Sequence, residues 1–160
     1  MNILLFAPEY RPNLSNMIRS AEFFGFQKIY IWDKNELLSP PKNKATRADM
    51  NHMARVWTAG AIEHIELAVL EDVADFLKNY PGRSIATIIH PSATTLSEFV
   101  FEENDLIIMG SEKEGLPPDI IALCNETIHL PTLGHTDCLN VSVSLGIFLY
   151  AAQQQIKKDL

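Results

Sequence analysis

Three polar side chains, Asn13, Glu112 and Asn140, stand at the seams between loops and regular segments, with Arg19 on the helix that Asn13 opens, and their types suit the holding of a polar ligand. In residues 130–150, LPTLGHTDCLNVSVSLGIFLY, a polar loop punctuated by Pro and Gly runs straight into an apolar helical pattern, with Asn140 at the junction. A helix start presents unpaired backbone N–H groups, so Asn, Ser and Thr delivered there can build a ligand site or merely cap a helix. Residues 13–25, NLSNMIRSAEFFG, place Asn13 as an N-cap, a stripe of Leu14, Met17, Ile18 and Ala21 toward a core, and Gly25 at the C′ stop. Asn16 and Arg19 share a face near that helix beginning, where the guanidinium is either a surface cation or a clamp for phosphate or carboxylate. Residues 110–117, GSEKEGLP, follow the run DLIIM, and their two glycines let the backbone approach a ligand closely. Pro117 and Pro118 suit the opening turn of another helix. Neither GxxxxGK nor GxGxxG is present, which excludes the common phosphate-loop and dinucleotide fingerprints. Glu112 orients a substrate or hydrogen-bonds its own loop.

The elements that must position these groups alternate. Asn2 to Ala7, Lys28 to Trp32, Ile65 to Val69, Ser84 to His90, Asp105 to Gly110 and Thr127 to Leu130 read as six strands, most too apolar for one solvated face. Helical patterns fall at Leu14 to Phe24, Asp49 to Val56, Glu71 to Tyr80, Leu96 to Phe101, Pro117 to Leu123 and Asn140 to Ile156. Such alternation predicts an α/β domain, a mostly parallel six-stranded sheet with helices on both faces. Ligands of these sheets bind beyond the C-terminal strand ends, which selects the segments after Ala7, His90, Gly110 and Leu130.

At 160 residues the chain is expected to form one domain, 1–160, with no separate RNA-binding domain. No stretch approaches the ~20 apolar residues of a membrane span, and MNILLFAPEY reads as a first strand, not a signal peptide. Cys124 and Cys138 are unpatterned, so neither a zinc site nor a disulfide framework is expected, and the cytoplasm is the expected compartment. The net charge of −7 argues against nucleic-acid binding by bulk electrostatics. A local patch stays open, because Lys34, Lys42, Lys44, Arg47 and Arg55 fall within 22 residues.

In their order and spacing, the three blocks resemble the SpoU (TrmH-like) group of the SPOUT superfamily, RNA 2′-O-ribose methyltransferases that use S-adenosylmethionine. The first family motif is matched by Asn13, Arg19, Ala21, Phe24 and Gly25, and the second by Gly110, Glu112, Gly115 and Leu116. The third is matched by Pro131, Leu139, Asn140, Val141, Ser142 and Val143, and weaker similarity lies in Arg55 to Glu66. The resemblance implies a C-terminal trefoil knot, a homodimer, tRNA or rRNA as substrate, and no metal. It implies that loops ending at Ile89, Gly110, Leu130 and Leu139, with Cys138, hold the cofactor largely through backbone groups. It assigns catalysis to Arg19, Asn13, Glu112 and Asn140, and substrate contact to Asn16, Arg19 and Ser142. Arginine side chains stay protonated in proteins, so phosphate binding and ribose positioning is the easier role for Arg19 than that of base. Two departures stand out: Cys138 where the family usually has Ser, and Thr132 where Met often follows the Pro. A thiol is a weaker hydrogen-bond donor than a hydroxyl, which makes a catalytically silent RNA-binding or cofactor-binding module of the same fold the rival reading. The final helix is more apolar than a one-sided surface helix needs, so it is either a buried core helix or, as the resemblance favours, part of a dimer face.

Overall fold

The computed structural model describes residues 1–39 and 54–156. Lys42, Lys44 and Arg47 of the basic cluster, and most of the helix expected over Asp49 to Val56, lie outside the described residues. Strands β1 (Asn2–Phe6), β2 (Lys28–Trp32), β3 (Glu66–Val69), β4 (Ser84–Thr87), β5 (Thr94–Thr95), β6 (Leu106–Met109) and β7 (Glu126–His129) form one sheet in the order β3-β2-β1-β6-β4-β7-β5. Every strand pair is parallel, with Ile3 opposite both Ile29 and Ile107. The sheet therefore has seven strands, not six. The seventh is Thr94–Thr95, which pairs with Ile128 and His129 at one edge. Two threonines without an apolar run give no strand period in the sequence.

Helices α1 (Arg11–Phe23), α2 (Val73–Asn79), α3 (Pro118–Ile121) and α4 (Val141–Ile156) stand beside a 3₁₀ turn at Ala61–Glu63, and residues 54–57 are also helical. Alternating side chains of each central strand enter opposite cores, because successive residues of a strand face opposite ways. Ile3, Leu5, Ile107 and Met109 pack with Leu14, Met17, Ile18, Leu145 and Leu149 under α1 and α4. Leu4, Phe6, Leu106 and Ile108 pack with Val73, Leu77 and Ile120 under α2 and α3. Both faces are thus covered, as continuous apolar strands require.

Helix α1 starts before its apolar stripe. Pro12 lies in its first turn and Tyr10 is its N-cap, so Asn13 is the third helical residue and not the cap expected from its type. That shift leaves the Asn13 side chain available for a longer-range contact. The other end follows the expectation: Gly25 has φ 76°, and the N–H groups of Gly25 and Phe26 donate to Glu22 O and Ala21 O at 2.8 and 2.9 Å.

The helix expected over Leu96 to Phe101 is a turn followed by extended chain. Phe99 and Phe101, two residues apart, are both buried in the same core. The Gln155 amide of α4 takes the backbone groups a helix would have used, accepting from Phe101 N at 2.8 Å and donating to Phe99 O at 3.1 Å. Against the same segment, Arg83 donates to Val100 O at 2.9 Å and to both carboxylate oxygens of the buried Asp105 at 2.9 and 2.8 Å. Hydrogen bonding to Asp105 holds the Arg83 guanidinium above its ordinary pKa. No helix among the described residues is long and apolar enough to cross a membrane.

Candidate active site

The chain lays β2 and β3 to one side of β1, then crosses over to build β4, β6 and β7 on the other. The C-terminal ends of β1 and β6 flank that change of direction, where open parallel sheets leave a crevice. Ala7, just past β1, takes φ 48°, a left-handed conformation that a non-glycine residue adopts only when its surroundings hold it. The Asn35 amide does so, donating to Ala7 O at 3.3 Å and to Pro8 O at 2.9 Å.

Past β6 the backbone folds on itself, with Ser111 and Gly115 exchanging N–H···O bonds of 3.1 Å in both directions. A Cβ at Gly110 would meet the Gly115 carbonyl carbon at 2.3 Å, so only glycine permits this closure. The turn carries Glu112 against the segment that follows β1. Its carboxylate accepts from Glu9 N at 2.8 Å, from Tyr10 N at 3.3 Å and from Asn13 Nδ2 at 2.9 Å. The oxygen of the Asn13 amide accepts from Asn140 Nδ2 at 3.1 Å. Asn140 Oδ1 in turn accepts from the backbone N and the hydroxyl of Ser142 at 2.8 and 2.7 Å.

A single hydrogen-bonded line, Glu112 to Asn13 to Asn140 to Ser142, therefore ties together the three blocks that carried the chemistry in the sequence. The carboxylate only accepts, so it fixes which end of each amide points which way along the line. Asn140 is exposed at the outer end, where its remaining N–H is available to a ligand. It caps α4 and at the same time donates to Asn13, so the cap belongs to the line.

Other predicted residues sit around this line rather than in it. Arg19 is exposed on α1, roughly 9 Å along the helix axis from Asn13, and makes no ion pair or hydrogen bond among the described residues. Asn16 is exposed one turn before it. Ser142 is buried, its hydroxyl spent on Asn140. Ile89, Gly110 and Leu130 follow β4, β6 and β7, which are adjacent, so these three share one stretch of sheet edge. Cys138 and Leu139 lie in residues 131–140, all exposed. Apolar side chains stand uncovered there, with Ile89 at 72 % and Leu139 at 51 % exposure.

The sequence reading missed Asn35, Glu9, Tyr10 and Lys113. Lys113 pairs with Glu9 at 3.1 Å and lies 5.8 Å from the Tyr10 ring centre. Burial alone would raise the Glu9 carboxyl, but the hydrogen bonds and charge of Lys113 outweigh it and hold the pKa below the ordinary value. Only the placement of Pro8-Glu9-Tyr10 right after a strand hinted at these residues. Of the two thiols, burial pushes Cys124 up to about 11, which leaves it protonated and inert at neutral pH. No group of His, Cys, Asp or Glu among the described residues could hold a metal ion.

The sequence model of the SpoU rRNA Methylase family matches residues 1–150. A 23S rRNA (guanosine-2′-O-)-methyltransferase, RlmB, of Acinetobacter baylyi is 27% identical over 147 residues, 89% of this chain and 55% of that protein. The chain spans little more than half the length of the first curated relatives it matches. Among solved structures, a TrmH/SpoU tRNA modifying enzyme of A. aeolicus superposes with a TM-score of 0.80 at 22% identity, over 98% of this chain and 75% of that one. The SpoU methyltransferase AviRb of Streptomyces viridochromogenes, solved in complex with AdoMet, gives 0.76 at 20% identity, over 97% and 60%. Likeness at this identity establishes the fold.

Proposed function

Because the chain belongs to the SpoU rRNA Methylase family, we propose that it transfers the methyl group of S-adenosylmethionine to a ribose 2′-hydroxyl of tRNA or rRNA. The observation that carries this reading is the Glu112–Asn13–Asn140–Ser142 line, which ends in an oriented, exposed amide beside the strand ends. The residues there fit the cofactor. The tight turn at Gly110 brings backbone close to the crevice, and Ile89, Leu130 and Leu139 offer apolar contact for an adenosine, with Cys138 alongside. When bound, the cofactor supplies an electrophilic sulfonium methyl.

The chain's own groups have the remaining tasks. Asn140, held by Asn13 and Ser142, orients the ribose so that its 2′-oxygen faces the donor. Arg19, with no ion pair or hydrogen bond among the described residues, binds the adjoining phosphate and screens its charge. The hydroxyl proton would leave to that phosphate or to water as the new C–O bond replaces the sulfonium sulfur–methyl bond, the electron pair staying on sulfur as a neutral thioether. Ser142 acts through Asn140, since its hydroxyl is already engaged.

The proposal extends to assembly. Val143, Ile147 and Tyr150 lie along one exposed side of α4, beside Phe23, which is 78 % exposed. An apolar strip of this kind supports a homodimer built on α4, and the family likeness supports a trefoil knot in the C-terminal part. Two free cysteines are consistent with a cytoplasmic protein. The test is transfer of labelled methyl from S-adenosylmethionine to total tRNA and rRNA, with nuclease mapping of the product. Cofactor binding without transfer would instead support the silent module that Cys138 brought into view.

A further inference from the structure

A cavity of about 350 Å³ opens on the flank of α1, lined among the described residues by Arg11, Pro12, Ser15, Asn16 and Trp57. Its size is at the small end of sites that hold organic ligands, enough for one nucleotide unit rather than an extended chain. Its walls differ in kind. The Trp57 indole is 44 % exposed and makes no aromatic pair or cation–π contact among the described residues. Pro12 adds a second apolar surface. The Arg11 guanidinium is pinned, donating from Nε to Leu37 O at 3.0 Å and from Nη2 to Ser39 O at 3.1 Å, so it forms a fixed wall. Ser15 and Asn16 bring side-chain donors and acceptors that no other described residue uses.

An exposed indole beside an unengaged amide and hydroxyl matches what an unstacked base needs: a ring to stack on and groups to pair with its edge. We propose that this cavity receives a base of the RNA next to the nucleotide being methylated, stacked on Trp57 with its edge toward Asn16 and Ser15. The inference rests on the RNA reading above and gives that substrate a second point of recognition. Position supports it. Asn16 lies one helical turn from Asn13, which holds the ribose-facing amide, and one turn before Arg19. The cavity is on α1, apart from the β4, β6 and β7 ends where the cofactor would lie.

Trp57 can report on its own occupancy. The only other tryptophan is Trp32, packed on Phe6 with ring centres 4.6 Å apart. In a W32F background, unmodified tRNA transcript or rRNA fragments should quench the Trp57 emission saturably. W57A should raise the KM for RNA about ten- to hundredfold, the size of a lost base–aromatic stack. Its kcat should fall far less, and its affinity for S-adenosylmethionine should hold. W57F, which keeps a stacking ring, should recover most of the loss, and N16A, at an exposed position, should raise KM by a smaller factor. RNA binding by the native protein with emission and KM unmoved in these variants would overturn the base site alone. So would a loss of cofactor affinity in W57A without a change toward RNA. A native protein that binds no RNA at all would overturn the site and the RNA reading together.

Discussion

Glu112 is the residue on which the site's geometry depends. Its two oxygens accept from Glu9 N, Tyr10 N and Asn13 Nδ2; the first two are backbone donors that cannot become acceptors, and the Asn13 amide is held donor-first because its oxygen accepts from Asn140. Glu112→Gln therefore turns an N–H₂ group toward a donor on one side or the other, at a cost of about 1–3 kcal/mol. Methyl transfer should fall by at least about tenfold, with a lower thermal midpoint and near-native cofactor affinity, as read by transfer assay, unfolding and calorimetry. Full activity in the variant would mean that the Asn13 orientation is not used. The sequence showed Asn13, Glu112 and Asn140 as polar groups at element ends, because residue type and neighbouring Gly or Pro are local signals. It could not show that they form one line, since their partners lie about a hundred positions away. It also hid Asn35, whose loop has no pattern yet holds the strained Ala7 carbonyl.

At the scale of elements, period and punctuation located β1, β2, α1 and α4 well, because each has a buried stripe and a marked end. The failure at Leu96 to Phe101 is physical. Local preference allowed a helix, but Phe99 and Phe101 gain burial two residues apart, and Gln155 of α4 satisfies the backbone groups left over. Gln155→Ala should expose that arrangement, lowering stability by about 1–3 kcal/mol. Urea unfolding would measure it, and an unchanged midpoint would show that water replaces the amide without loss. Similarly, the Asn13 misassignment came from ranking it as a cap by type, when Pro12 had already set the first turn. The correction matters for function, because a capping Asn13 could not also bridge Glu112 and Asn140.

For the whole molecule, the parallel sheet with both faces covered was legible because its central strands β1 and β6 are apolar runs and short β-rich runs alternate with helical patterns, whereas strand order depends on contacts no periodicity encodes. That order brings the ends of β1 and β6 together, where Glu112 meets the segment that follows β1. Assembly belongs to this scale as well. A strip of Val143, Ile147 and Tyr150 beside Phe23 predicts a dimer in sedimentation at micromolar concentration, and Ile147→Asp should shift it to monomer. A native protein that sediments only as monomer would remove α4 as an interface. The central claim is that the line from Glu112 to Asn140, with Arg19 beside it, serves methyl transfer to a ribose hydroxyl. The direct measurement is labelled methyl transfer from S-adenosylmethionine to unmodified tRNA and rRNA by the native chain and by Arg19→Ala, with the product mapped to its nucleotide. The account predicts label on a 2′-oxygen with the native chain, and none with Arg19→Ala although its cofactor affinity is nearly intact. Bound cofactor with no labelled RNA in the native protein, or undiminished turnover in Arg19→Ala, would contradict it.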